Sequence, residues 1–337
     1  MVLALQLAAS ASFTVVIGGD IMLNQVSARK NPLAGIASSL RKADVTIANL
    51  EIPLTRAPRS NPRKTPEMLR ARDQYILKAD PNHAQHLASS GIDVVSLANN
   101  HGMDYLLPGV NEMTGALKKS KIVFTGAGAN LAAAQQPATF TLKNGVRIAL
   151  ISALSFMSDG GNNICYPATA TSPGIHALKF GGDISAADEK RLSAWISKAK
   201  SKADFVFVAL HWGLEKKTVP TPYQVSLGRA AIRSGADGVF GHHPHVLQGG
   251  EVYKGKPIFY SLGNLISPRP AMTAMFRLSF SGRRLTKVEN VPVWIRGGSA
   301  ETLSGKRRES EWSRFKSLSA QIQAKFRHKD SKPLPMK

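Results

Sequence analysis

Along most of the chain, short apolar β-branched runs alternate with stretches of helical spacing. Phe13–Ile17 (FTVVI) is closed by Gly18-Gly19 and reads as a buried strand. Val45–Ala48, Val94–Ala98, Ile122–Thr125, Arg147–Ala153, Phe205–Leu210 (FVFVAL), Gly238–Gly241 and Pro257–Leu262 read the same way. Between them, the pattern predicts helices over Asn82–Ser90, ended by Gly91, over Val110–Lys119 and over Val225–Ser234. Another is expected over Ser185–Lys200, with Leu192, Trp195, Ile196 and Ala199 on one face and Ser185 as N-cap beside Asp188 and Glu189. Asn61–Pro66 is turn-rich. From Phe276 onward strict alternation takes over (FRLSF, then VENVPVWI), which suits antiparallel strands. Glu309–Arg327 reads as a polar helix, followed by a loose terminus. Together these predict a layered α/β fold, a sandwich of mixed sheets flanked by helices. One domain spans residues 12–300, and residues 301–337 form a basic helix and tail.

The polar residues cluster where the strands stop. The first strand runs into Asp20, the second into Asn49-Leu50-Glu51, and the third into Asn99-Asn100-His101 and then Asp104. FVFVAL runs into His211-Trp212-Gly213-Leu214-Glu215, the GVF strand into His242-His243-Pro244-His245, and IFYSL into Gly263-Asn264. A single strand-end Asp or Asn is usually a turn or cap residue, and a lone His is usually structural. A whole set of carboxylates, amides and imidazoles at successive strand ends needs partners. Ligands in layered α/β folds bind outside the carboxyl ends of strands, so these groups are expected to meet in one crevice. Such donors suit Mn, Fe, Zn or Mg. His243 and His245 are placed to serve neighbouring ions bridged by Glu51, a pair that would clamp an oxyanion and activate water. His101 would then protonate a leaving group.

Composition narrows the partners. The 337 residues carry 44 Lys+Arg against 22 Asp+Glu, a net charge of +22. This favours a polyanionic partner. The basic residues concentrate at Arg56–Arg72 and in the tail from Lys306, each readable as a binding face or as a solvated one. Basic residues interleaved with aromatics, as in base-stacking proteins, are lacking, so nucleic acid is disfavoured. A single cysteine, Cys165, excludes an internal disulfide and a cysteine zinc knuckle. No apolar run is long enough to cross a membrane. Met1–Ala11 is apolar and ends in Ala9-Ser10-Ala11; it reads as the remnant of a signal peptide, hence a periplasmic or secreted protein, or else as the lead-in to the first strand of a cytoplasmic one.

The ordered set Gly19-Asp20-Ile21-Met22-Leu23, Asn49-Leu50-Glu51, Leu97-Ala98-Asn99-Asn100-His101, His211-Trp212-Gly213, His243-Pro244-His245-Val246 and Tyr260-Ser261-Leu262-Gly263-Asn264 resembles the CapA family. The resemblance covers about Thr14–Ile266. It implies a metallophosphatase-like fold related to calcineurin-like phosphoesterases. It also implies a role with poly-gamma-glutamate, an acidic capsule polymer, alongside other capsule-assembly proteins. By that pattern Asp20, Glu51, Asn100, His211, His243 and His245 are expected to hold one or two divalent metal ions, and His101 to be the catalytic imidazole. Asn99, Asp104, Trp212, Glu215, His242 and Asn264 are expected to contact substrate or support the ligands. Phosphoesterases begin with Asp-x-His, whereas this chain has Asp20-Ile21-Met22, and Glu51 stands for their bridging aspartate. Three readings follow: processing, synthesis or export of the polymer; a metal-dependent hydrolase of phosphoester or amide bonds; and a non-catalytic polyanion binder on the same scaffold.

Overall fold

A computed structural model describes residues 11–155, 165–178 and 184–336. The expected signal segment therefore lies outside the described residues, save for Ala11. Strands are numbered in chain order: β1 Ser12–Ile21, β2 Val45–Leu50, β3 Val94–Ser96, β4 Val123–Thr125, β5 Ala127–Gly128, β6 Ala138–Thr141, β7 Arg147–Ser155, β8 Gly174–Ile175 and β9 Ala177–Leu178. They continue with β10 Phe205–His211, β11 Gly238–His242, β12 Gly250–Tyr253, β13 Lys256–Phe259, β14 Asn264–Ile266, β15 Ala271–Ser281, β16 Arg284–Arg296, β17 Ser299–Thr302 and β18 Ser331–Lys332.

Two eight-stranded mixed sheets face each other. One runs β17-β16-β15-β1-β2-β3-β4, with β14 beside β1; the other runs β18-β12-β13-β11-β10-β7-β6, with β9 beside β7. Alternation along each strand sorts the side chains into layers. Phe13, Val15, Ile17, Val45 and Ile47 meet Phe205, Phe207 and Phe240 between the sheets. Val16, Ala48 and Val95 face the helices His83–Ser90 and Leu106–Lys119. Val206, Val208 and Leu210 face the helices Ala186–Lys200 and Pro222–Arg233. The result is a helix/sheet/sheet/helix sandwich, as the alternation predicts.

Several elements differ from expectation for physical reasons. Gly18-Gly19 does not end β1; the strand runs on to Ile21 through a register shift after Ile17. A Cβ on Gly19 would lie 2.0 Å from the Gly263 carbonyl, so glycine here permits close backbone approach. Beyond that point β1 leaves β15 and pairs with β14, which sets Asp20 opposite Asn264. The helix Pro222–Arg233 starts earlier than predicted, capped by Thr221 with proline in its first turn. Ser185 and Asp188 form the expected capping box.

The chain after β14 completes both sheets. β15 and β16 form a long hairpin against β1, and Phe315 on the helix Gly305–Lys325 packs between Phe259 and Phe276. The terminus is not loose: β18 pairs with β12, and Arg229 reaches Ser331 Oγ (3.1 Å) and the Phe326 carbonyl (2.7 Å). Among the described residues, no helix is long and apolar enough to cross a membrane.

Candidate metal centre

The tips of β1, β2, β10 and β11, with the loops after β3, β11 and β13, converge on one side of the sandwich. Asp20 is fully buried. Its Oδ1 accepts from Asn49 Nδ2 (2.9 Å) and His242 Nδ1 (3.0 Å), and its Oδ2 from the His243 backbone (3.2 Å) and His245 Nδ1 (3.2 Å). Glu51, also fully buried, lies with Oε1 3.7 Å from His211 Nε2 and 3.5 Å from His245 Nε2. His211 Nε2 donates to Asn100 Oδ1 (2.9 Å). The rings of His211 and His243 lie 4.8 Å apart, and those of His243 and His245 6.0 Å apart.

His243 and His245 take left-handed backbone conformations, with φ of 95° and 57°. Such conformations are uncommon for residues other than glycine and concentrate at functional sites. Here they flank Pro244, whose carbonyl accepts from the Lys216 N–H (2.9 Å). The strained turn delivers both imidazoles to the carboxylates.

The donor set fits a divalent cation. Glu51 Oε1, His211 Nδ1, His242 Nε2 and His243 Nδ1 are buried and lack a hydrogen-bond partner. Buried polar groups are normally satisfied, so an unpartnered carboxylate oxygen among unpartnered imidazole nitrogens is what a bound cation would relieve. Two three-residue sets have donor atoms within 4.8 Å of one another: Asp20, Glu51 and His211, and Glu51, His243 and His245. Glu51 belongs to both. Without a cation, burial and mutual charge drive the pKa values of these groups apart. Burial would raise Asp20, but hydrogen bonds from His242 and His245 hold it well below the usual carboxylate range. Burial and the Asp20 charge push Glu51 well above its ordinary value. Burial and the neighbouring His245 push His243 down to about 4, and burial and His243 push His211 well down. His245 rises to about 9: burial opposes, but the Glu51 and Asp20 carboxylates prevail.

His101 sits at the edge of this cluster, 7% exposed. Its Nδ1 donates to Asp104 Oδ2 at 2.7 Å, which leaves Nε2 for the cleft. Burial lowers its pKa, against the pull of Asp104. Asp104 also accepts from Leu77 N (2.8 Å) and from Lys64 Nζ (2.5 Å). Asn99 anchors the loop, accepting from the His101 N–H (3.1 Å) and donating to the Leu50 carbonyl (2.9 Å). Asn264 Oδ1 accepts from His245 Nδ1 (2.9 Å). Glu215, His101, His245 and Asn264 line a cleft of about 350 Å³.

Trp212 lies elsewhere. It follows the last inward residue of β10, so its side chain turns to the helix layer, stacks on Tyr260 and donates to the Tyr260 carbonyl (2.8 Å). Met22 lines the cleft at the position where Asp-x-His would supply a donor. Two residues escaped the sequence reading. Asn49 bridges Asp20 and Glu51 (2.9 and 3.4 Å), though its motif was in view. Lys64 belongs in sequence to the basic run Arg56–Arg72 but is 3% exposed beneath Asp104. That run is not one free cationic face: Arg56 pairs with Asp80, Arg70 with Glu67, and Arg63 stacks on Tyr166.

Mixed sheets between helix layers, with the cluster at the strand tips, define a metallophosphatase-like fold. A phosphatase from Mycoplasma pneumoniae shares it, with a TM-score of 0.50 over 89% of this chain and 97% of that one, at 14% identity. Residues 14–269 match the bacterial capsule synthesis protein family PGA_cap, and the chain belongs to that family. It is 33% identical over 264 residues to the PGA biosynthesis protein CapA of Bacillus subtilis, covering 76% of this chain and 63% of that protein. It is 30% identical over 275 residues to the capsule biosynthesis protein CapA of Bacillus anthracis, covering 80% and 62%. A probable polyglutamine synthesis accessory protein of Mycobacterium tuberculosis is 29% identical over 223 residues, covering 66% and 55%. The chain thus spans less than two thirds of the length of these relatives.

Proposed function

We propose that the chain serves poly-gamma-glutamate or a similar acidic polymer at the cell envelope. In this reading it takes part in the synthesis, export or processing of that polymer through a metal-dependent site, which as a hydrolase would cleave the polymer's amide bonds. The observation that carries the reading is the pair of donor sets, Asp20/Glu51/His211 and Glu51/His243/His245, that share Glu51, whose Oε1 is buried without a hydrogen-bond partner. Asp20, Glu51, Asn100, His211, His243 and His245 would hold one or two divalent ions. When bound, such ions polarise the scissile group and lower the pKa of water.

The chain's own residues supply the rest. Asp20, fixed by Asn49, His242 and His245, stays anionic in the apolar interior. Asp104 orients His101 through Nδ1, so that Nε2 takes a proton in the cleft and returns it to the leaving group. The net charge of +22 attracts an acidic chain. Met22, standing where a further imidazole would be, favours a weaker first site and keeps the polyanion-binding reading as the second.

The test is elemental analysis of the full chain after reconstitution with Mn, followed by assay on a γ-linked glutamate oligomer and a phosphodiester. One to two equivalents of metal with turnover of the oligomer supports the reading. Metal without turnover leaves a binding protein. No metal retained in the wild type sinks it.

A further inference from the structure

The cleft beside the cluster has an outer wall that the proposed chemistry does not use. Tyr75, Lys216 and Arg269 line it, from three separate parts of the chain. Tyr75 is 45% exposed and is the large hydrophobic residue exposed among the described ones. It is not on a free loop. Its carbonyl accepts from buried Lys64 Nζ at 2.8 Å, and Leu77, two residues on, donates its N–H to Asp104 Oδ2 at 2.8 Å. Arg269 stands between Pro268 and Pro270, and its carbonyl accepts from Ser267 Oγ at 2.7 Å. Lys216 is held by its N–H to the Pro244 carbonyl at 2.9 Å. The backbones near Tyr75 and at Lys216 are thus pinned to groups that build the site, and that of Arg269 is fixed locally by Ser267.

The two cations have no ion-pair partner among the described residues, whereas Arg56, Arg70 and Arg147 each have one. Glu215 is the one acid on the same cleft. Its charge acts on His243 and His245, on the metal side of the cleft. The cleft therefore has one wall carrying His101, His245, Asn264 and Glu215 and another carrying two cations without an ion-pair partner beside an exposed aromatic ring. Pockets use a few placed polar groups to fix the orientation of a ligand. Cations on pinned backbones suit anionic groups, and an aromatic face suits the flat linkage between them.

Resting on the reading above, we infer that Lys216, Arg269 and Tyr75 form a specificity subsite. Lys216 and Arg269 hold a carboxylate carried by the substrate next to the reacting bond, while the linkage itself lies over the Tyr75 ring. The subsite sets which bond of a repeating acidic chain faces His101. None of these three residues belongs to the metal cluster.

The full chain, loaded with Mn, would be titrated calorimetrically with a γ-linked glutamate pentamer, with the same pentamer bearing α-amides in place of α-carboxylates, and with inorganic phosphate. Lys216→Gln/Arg269→Gln is expected to weaken the acidic pentamer about tenfold or more, the scale of lost charge-assisted hydrogen bonds. Metal content and urea midpoint should stay unchanged. The amide pentamer should bind wild type as weakly as the acidic one binds the variant, and Tyr75→Ala should weaken both peptides. Equal binding of the acidic pentamer by wild type and variant overturns the inference, as does equal binding of acid and amide pentamers by wild type. Loss of phosphate binding alone overturns the carboxylate assignment. A wild type that holds metal but no pentamer overturns the subsite and leaves the metal centre standing; a wild type that retains no Mn yet binds the acidic pentamer overturns the metal centre and leaves the subsite standing.

Discussion

Lys64 Nζ and Asp104 Oδ1 meet 2.5 Å apart with side chains 1% and 0% exposed, beneath the imidazole of His101. Taking two charges out of water is costly, and removing one partner of such a pair leaves the other charge uncompensated. Lys64→Met is therefore expected to destabilise the fold by about 3 kcal/mol or more. Lys64→Met/Asp104→Asn should recover part of that loss. Urea denaturation of Lys64→Met, Asp104→Asn and the double variant measures it, and additive losses would show that the pair does not act as a unit.

Glu51 is expected to behave differently with and without metal. In the metal-free protein its charge is opposed by burial and by Asp20. Glu51→Gln should leave the chelated protein as stable as wild type or more so, yet strip its metal. A ligand at a hundredfold over its Kd stabilises the native state by about 2.7 kcal/mol. Chelator should therefore lower the Tm of wild type by several degrees and leave the variant unmoved. Equal metal content in the two proteins would remove Glu51 from the ligand set.

His101 is expected to separate binding from turnover. His101→Asn should keep full metal content and lose about two to four orders of magnitude in rate, the usual contribution of a positioned acid or base. An unchanged rate on the oligomer would mean that His101 carries no proton in the reaction.

Glu251 sets a pH dependence far from the cluster. Burial would raise its pKa, but Arg229, Ser331 and Tyr260 hold it below its ordinary value of 4.5. A carboxyl depressed in the folded state contributes stability that is fully present above its unfolded pKa and is lost as pH falls through the folded one. Glu251→Gln should thus cost about 2–3 kcal/mol at pH 7, because Arg229 loses its ion-pair partner. The gap between variant and wild type should narrow below about pH 4. A gap that stays constant with pH would assign the loss to packing alone.

The convergence of the polar groups was legible because buried strands are apolar and end abruptly in polar residues, so Asp20, Glu51, His211 and His243 stand out in the sequence. What escaped depends on direction and distance rather than residue type. His211 and Trp212 are neighbours in sequence, but strand alternation sends them to opposite faces, and a motif read as a block hides that. Lys64 sits among exposed basic residues, and nothing local says that Asp104, 40 residues on, pulls it inside. Gly18-Gly19 looks like a strand end until Gly263 is seen pressed against it. The pairing of β18 with β12 joins short edge segments without a local signal.

β1 lies in the interior of its sheet, with β2 on one side and β15 on the other. Val15 faces Leu278 across that second boundary, so β1 waits for a partner made about 260 residues later. Pairings so distant in sequence close slowly, because the loop entropy is lost before the contacts form. On the ribosome, the first sheet cannot close until the β15–β16 hairpin has emerged. Until then β1 keeps an open edge, a template on which a wrong strand can pair.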